Sequence, residues 1–453
     1  MKQHKQDLLR SQQHDLLAAA ELALTLAQRA GAQAQVGATK SSGLSVSTRL
    51  QQIENIEFNN DGALGISVYL GQRKGNASTS DLSPPAVQSA VEAALSIAKY
   101  TSEDEYNGLP DEDLLAVSPP DLDLYHPHEI AVESAVQLAV QAEKQALESD
   151  SRIVNSEGAG FNAHYGIRVY GNTYGDKRGV LNSYLSSRYS LSCSVIAAAE
   201  QQMERDYEYT ISRRFQDLAS PQWVGEQCAQ KTVSRLSAQK LTTRMAPVIF
   251  HNDVAAGLIG HLVGAASGSS IYRKSSFLLD KLGERILPSW FEISERPHLL
   301  AGLASSPFDS EGVRTESRNI VEQGILQTYL LTSYSAKKLG MRSTGHAGGI
   351  HNWLVKPNSK GGLDALLKQM GTGLLVTDLM GQGVSLVTGD YSRGASGFWV
   401  ENGEIQYPVH EITIAGQLQT MLANLVATAD DVEHRSNIQT GSILLDDMKI
   451  SGN

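Results

Sequence analysis

The sequence predicts an α+β protein in two parts. An N-terminal domain, residues 1–238, places helices on a mainly antiparallel sheet, and a C-terminal domain, residues 239–453, is β-rich and barrel-like. Three observations carry this. Segments with apolar residues at helical spacing are interspersed, in the first half, with segments of two-residue alternation. Short turns between the strand-like segments favour antiparallel pairing. Beyond about residue 238 the chain becomes glycine-dense, with short apolar runs between the glycines, as in a tightly turned β domain.

The first helix is expected over Leu16–Ala30, where Leu22, Leu26 and Ala30 fall on one face, with Asp15 as N-cap and Gly31 past its end. GLSVSTR and a segment with Ile53, Ile56 and Phe58 read as strands. The turn signal NNDG (Asn59–Gly62) leads into a third, LGISVYL. Ser83 and Pro84 open a second helix with a Val87, Val91, Leu95 stripe. Residues 101–129, rich in Asp, Glu and Pro, are expected to be an exposed connection, followed by a helix over 130–147. Strands HYGIRVYGN, SSRYSLSCSVIA and RDYEYTISRRF and a helix over 223–236 close this half. PVIFHNDVAAGLIGHLVGA then reads as a strand feeding a helix that Asn252 or Asp253 can cap.

A chain of 453 residues can bury a core large enough to need no staples. The net charge of −11 argues against non-specific nucleic-acid binding, which needs a basic footprint. Two cysteines, Cys193 and Cys228, in no CxxC pattern, read as reduced thiols. The polar opening MKQHKQDLLRSQQHD has no apolar signal-peptide region, and no stretch reaches the ~18 apolar residues of a membrane span. The expected localisation is cytoplasmic, with no membrane partner.

No GxxxxGK[ST] is present, and the GxG fragments at Gly158–Gly160, Gly371–Gly373 and Gly381–Gly383 lack the dinucleotide pattern and read as turns. DYSRG resembles a serine-hydrolase elbow around Ser392, but Asp390 replaces the first glycine, so a turn is expected there. Metal hydrolysis needs two or three imidazoles or carboxylates, an open position and a base. No HExxH occurs. His346 and His351, in GHAGGIH, are the closest histidine pair, with no acidic neighbour in sequence, and are expected in a glycine-rich loop as hydrogen-bonded side chains. His261 lies ten residues, nearly three turns, beyond His251, too far to share a metal.

Over essentially its whole length the sequence resembles the PmbA/TldD family, in its PmbA (TldE) branch. The segments that carry the resemblance include GLSVSTRLQQIENIEFNNDGALGISVY, SIYRKSSFLLDKLGERILP, PFDSEGVRT, STGHAGGIHNW and LMGQGVSLVTGDYSRGASGFWVENGEIQYPV. The resemblance implies a two-domain fold around a cleft and a cytoplasmic heterodimer in which a TldD-type subunit holds zinc through HExxxH and a late cysteine. Unstructured peptides are its implied substrates, with leader-peptide trimming, microcin maturation and antitoxin turnover as roles. Laid over this chain, the motif places His251 at the first ligand, Asn252 at the general base and Ala256 at the second ligand, and the C-terminal stretch has no cysteine. The implied reading is a non-catalytic subunit without metal, zinc being held by the TldD-type partner; a homodimer is the other implied assembly. Glycine permits close backbone approach, so the loops HAGGIHNW and GDYSRGASG, with His346, Gly348, Gly349, His351, Ser392 and Arg393, are candidates for lining a peptide chamber. The alternatives are a non-proteolytic binding protein that modulates DNA gyrase or toxin–antitoxin partners, and independent hydrolysis through His346 and His351.

Overall fold

The structure is a computed structural model that describes residues 2–199 and 202–452. Its first half opens with helix α1 (Lys2–Arg29), strands β1 (Gln33–Arg49), β2 (Gln52–Leu70) and β3 (Arg73–Thr79), and helices α2 (Pro84–Tyr100) and α3 (Val132–Ser149). Strands β4 (Ile153–Tyr174), β5 (Lys177–Ala199) and β6 (Gln202–Ser212) and helix α4 (Pro221–Ser234) complete it. The strands form one sheet, β3-β2-β1-β4-β5-β6, antiparallel throughout.

Alternation gives this sheet one apolar face. On β4, Phe161, Ala163, Tyr165, Ile167 and Val169 are buried, as are Tyr189, Leu191, Cys193, Val195 and Ala197 on β5. The helices cover that face with small residues, Ala135, Ala139, Ala142 and Ala146 among them. The approach is close enough that a Cβ on Gly225 of α4 would stand 2.2 Å from the Ala142 carbonyl oxygen of α3. Cys193 and Cys228 are buried and free, and the Cys228 thiol donates to the Cys193 carbonyl at 3.3 Å.

Three local expectations are corrected here. Helix α1 begins at Lys2, so Asp15 is interior rather than a cap; the preceding Lys, Gln, Leu and Arg residues are straight-chain helix formers. Asn59–Gly62 makes no turn but runs through β2, paired with Lys40–Gly43 of β1. The hairpin instead turns at Leu50 and Gln51, both left-handed with φ of 51° and 61°. The buried carboxylate of Glu143 on α3 fixes that turn. It accepts from the N–H of Leu50 at 2.6 Å, the N–H of Gln51 at 2.8 Å and the Thr48 hydroxyl at 3.1 Å. Residues 101–129 are not simply an exposed connection but a strap across both halves. Leu109, Leu115, Ala116, Leu122 and Leu124 are buried, and the Ala116 N–H donates to the Gly312 carbonyl at 2.9 Å.

The second half contains β7 (Arg244–Phe250), α5 (Asn252–Ala266), α6 (Gly268–Tyr272), β8 (Ile293–Glu295), β9 (Arg318–Glu322) and β10 (Ile325–Leu326). It continues with α7 (Ser333–Lys338), β11 (Trp353–Val355), α8 (Gly362–Met370), β12 (Gly373–Met380), β13 (Asp390–Glu401) and β14 (Glu404–Gln417). Helix α9 (Leu418–Ala423) and strands β15 (Leu425–Thr428), β16 (Ile438–Gln439) and β17 (Ile443–Ser451) end it. Five strands, β14-β13-β12-β7-β17, close into a barrel through β14–β17 pairing, with β15 attached to β17. A small sheet, β10-β9-β8-β11-β16, lies beside it. Strand β7 is buried on both faces: Val248 and Phe250 share a core with Leu258, Ile259 and Leu262 of α5, and Ile249 shares another with Leu366, Leu367 and Met370 of α8.

The segment GDYSRGASG is strand β13 rather than a loop, and Ser392 pairs with Ala415 of β14 instead of occupying a turn. Its glycines serve close packing, since a Cβ on Gly397 would lie 1.9 Å from the Leu375 carbonyl oxygen of β12. Gly158 and Gly160 likewise lie within β4 rather than in a turn. Among the described residues no helix is long and apolar enough to cross a membrane.

Glu143→Ala leaves the N–H groups of Leu50 and Gln51 without their acceptor. The expected cost is about 3 kcal/mol, read as a lower urea midpoint with an unchanged slope. An unshifted midpoint would show that water replaces the carboxylate.

Candidate functional site

A cavity of about 810 Å³ at the junction of the two halves lies where the first turn of α5 faces β6 and α4. His251 precedes α5 and is its N-cap, the ring Nδ1 accepting from the Asp253 N–H at 3.3 Å. The cap is therefore His251, and not Asn252 or Asp253 as the sequence suggested. Asn252 turns its amide away, donating to the Asp431 carbonyl at 2.6 Å. Ala256 packs against the core.

Around His251 the cavity holds a network of ions. Lys231 of α4 binds Glu208 of β6 at 2.7 Å and Asp253 of α5 at 3.0 Å. Arg435 reaches Glu208, Glu433 and Asp253, and stacks 4.4 Å from the centroid of Tyr209. Burial pushes the Asp253 carboxyl up, but the His251 ring and Lys231 outweigh it and hold it well below the usual carboxylate range. Burial likewise pulls the Lys231 ammonium down, and Asp253 and Glu208 outweigh it in turn. At Glu433 the Arg435 guanidinium wins over burial and lowers the carboxyl.

These residues do not fit a catalytic zinc. Of the three motif positions only His251 is an imidazole, Ala256 offers no donor atom, and the Asn252 amide is committed to a carbonyl; His410, also on the lining, faces Glu204 at 3.4 Å. Among the described residues, no group of three metal-ligand side chains includes His251. Two cations already stand among the carboxylates.

His346 and His351 acquire an acidic partner that their sequence neighbourhood did not reveal. Glu295, at the end of β8, accepts from His346 Nε2 at 2.9 Å, from the His351 N–H at 2.9 Å and from the Trp353 indole at 3.3 Å. Arg318 lies 3.8 Å from the same carboxylate. Burial drives His346 toward the neutral form, and its Nδ1 sits 2.8 Å from the Thr344 hydroxyl. Glu295, His346 and His351 bring their ligand atoms within 4.8 Å of one another. Yet the carboxylate is saturated by N–H donors, and a metal would have to displace them beside a guanidinium. The cluster fastens residues 346–353 to the small sheet.

The six chamber candidates do not come together. His351 and Gly348 line a cavity of about 370 Å³ against the first sheet, while His346 and Gly349 line another of about 410 Å³. Ser392 and Arg393 lie on the barrel strand β13, where the Arg393 guanidinium donates to the Leu379 carbonyl at 3.2 Å. Sequence reasoning missed Glu208, Lys231, Glu295, Glu433 and Arg435. Arg435 meets Glu208 across 227 positions, and no local pattern marks such a pair.

Three family models match in succession: PmbA/TldA metallopeptidase domain 1 over residues 34–98, the central domain over 125–236 and the C-terminal domain over 242–452. The chain is 70% identical to the metalloprotease PmbA homolog of Haemophilus influenzae, covering 98% of each chain. It is 59% identical to metalloprotease PmbA of Escherichia coli O157:H7, over 96% of this chain and 95% of that one. A Bacteroides thetaiotaomicron protein described as a modulator of DNA gyrase superposes with a TM-score of 0.90 at 27% identity, over 96% and 98% of the two chains. TldE from Thermococcus kodakarensis shares the fold with a TM-score of 0.82 at 21% identity, over 96% and 100%.

Arg435→Met removes one cation from three carboxylates. Its side chain is 20% exposed, so the expected loss is about 3 kcal/mol, the low end for breaking a buried pair. Asp253 and Glu433 have depressed pKa values in the folded state. They therefore contribute stability that is present above the unfolded carboxylate value of about 4 and lost as pH falls below it. Urea midpoints should drop between about pH 5 and about pH 2 in the parent chain, and less steeply in Arg435→Met. Parallel acid profiles would refute the network as their source.

Proposed function

The chain belongs to the PmbA/TldD metallopeptidase family, and from that premise we propose that it is a PmbA (TldE)-type subunit without a metal of its own. In this reading it acts in the cytoplasm with a TldD-type subunit that carries the zinc. The pair degrades unstructured peptides and trims leader peptides.

One observation carries the proposal: where the family's zinc motif overlays this chain, a lone imidazole stands beside Asn252, Ala256 and the ion network of Lys231 and Arg435. A carboxamide cannot take and return a proton as glutamate does. Lys231 and Arg435 already occupy the carboxylates that could turn to a metal. The chain's contribution is then to close the chamber and hold extended peptide through backbone hydrogen bonds, a mode with little sequence preference.

Purified alone, the chain should contain less than one zinc per protomer by elemental analysis and cleave no unstructured peptide. Mixed with a TldD-type subunit it should restore cleavage and co-elute with it. Metal-dependent cleavage by the chain alone would sink the proposal. The Bacteroides neighbour's description supports a second reading, a binding protein acting on gyrase. Retention of gyrase on the immobilised chain, with no TldD-type subunit present, would favour it.

A further inference from the structure

The cavity of about 370 Å³ lies between the open face of the first sheet and residues 303–310 and 347–351. Three successive rungs build its floor. His164 of β4 stands opposite Arg188 of β5, Gly166 opposite Ser186, and Arg168 opposite Tyr184. Residues two apart on a strand share a face, so Arg188, His164 and Arg168 all point away from the helices. Gly166 leaves the middle rung hollow, since a Cβ there would stand 3.0 Å from the Ser186 hydroxyl.

Arg213 adds a charge from the side. It is buried, and its guanidinium donates only to carbonyls, those of Gly302 at 3.0 Å, Ser187 at 3.2 Å and Leu303 at 2.9 Å. The one carboxylate on the lining, Asp309, already accepts the N–H groups of Glu311, Val313 and Ala347. Burial, and then Glu311, push that carboxyl up to about 7. Neither Arg168 nor Arg188 forms a salt bridge among the described residues. Burial and then the charges of Arg188 and Arg213 lower the His164 pKa, as a positive field requires. In a chain of net charge −11, an open cleft that gathers Lys40, the exposed Arg168 and Arg188, and Arg213 around a single carboxylate is a local excess of positive charge.

We propose that this cleft binds a small, multiply charged anion, its phosphoryl or carboxylate oxygens held by Arg168 and Arg188 from the floor. Guanidinium forks match both groups bidentately, and the volume suits a metabolite-sized ligand. The site lies apart from the ion network around His251 and does not depend on the peptidase reading.

Isothermal titration calorimetry of the full chain with inorganic pyrophosphate and with citrate, at constant ionic strength, tests it. At least one anion should give saturable, single-site heat. Arg168→Gln and Arg188→Gln should each weaken it about tenfold or more, as expected for a charge-assisted bond. Both side chains lie on the open face of the sheet, so the variants should keep the parent circular dichroism spectrum. Arg244→Gln, whose guanidinium stacks 4.8 Å from the Trp399 ring on the barrel, should bind as the parent does. Tighter pyrophosphate identifies a phosphoryl ligand and tighter citrate a polycarboxylate; either supports the site. Absence of saturable heat with both anions, full binding in both cleft variants, or equal loss in Arg244→Gln would overturn it.

Discussion

At the cavity beside His251, one guanidinium ties the two halves of the chain together. Arg435, from the second half, reaches Glu208 on β6 of the first half and Asp253 on α5 of its own. Removing ions from water costs several kcal/mol each, and the attraction between them offsets that only when every donor finds an acceptor. Lys231 completes the condition by bridging Glu208 and Asp253 from α4. The arrangement fixes the start of α5. Asp253 sits in its first turn, where the helix dipole favours a carboxylate, and His251 is left to cap the helix. His251 thus stands in a network in which two cations face three carboxylates drawn from both halves.

The first sheet imposes a second constraint. Its helices cover one face, and alternation sends every other residue to the opposite face. That face must meet water or the second half. Where residues 303–310 and 347–351 face it, polar residues of β4 and β5 line an open cleft and stay in contact with solvent. The barrel meets a different demand. Its strands pass so close that side chains are excluded at Gly397 and, toward the Pro247 carbonyl oxygen, at Gly373, where a Cβ would stand 2.4 Å away.

Much of the fold was legible from patterns that burial enforces. The α2 start at Ser83-Pro84 and its stripe, the presence of α3 and α4, the strand feeding α5 and the barrel-like second half were all legible in this way. The failures share one cause, that local preference was allowed to decide where long-range contact does. Asn59–Gly62 has turn chemistry, yet seventeen residues of β1 pair along β2 and carry it straight through. GDYSRGASG has loop composition, but its glycines answer the crowding of neighbouring strands. The buried leucines of the strap were hidden by the acids and prolines around them. At the site, sequence spacing located His251 but gave no sign of Arg435 or Glu208, which meet only through the fold. Glu295 was invisible for the same reason: it lies 51 residues before His346.

Net charge concealed the same thing on a larger scale. A value of −11 over 453 residues reads as a diffuse acidic surface, but it sums two clefts of opposite character. The cavity beside His251 is rich in carboxylates, which outnumber the lysine and arginines on its lining. The cavity over β4 and β5 is the reverse, since its arginines have no acid to pair with and its single carboxyl is drawn toward neutrality. Arg168 and Arg188 are exposed to solvent, so an anion would enter that cleft in exchange for water. Of the two cavities, the one the zinc motif does not touch therefore carries the local excess of positive charge.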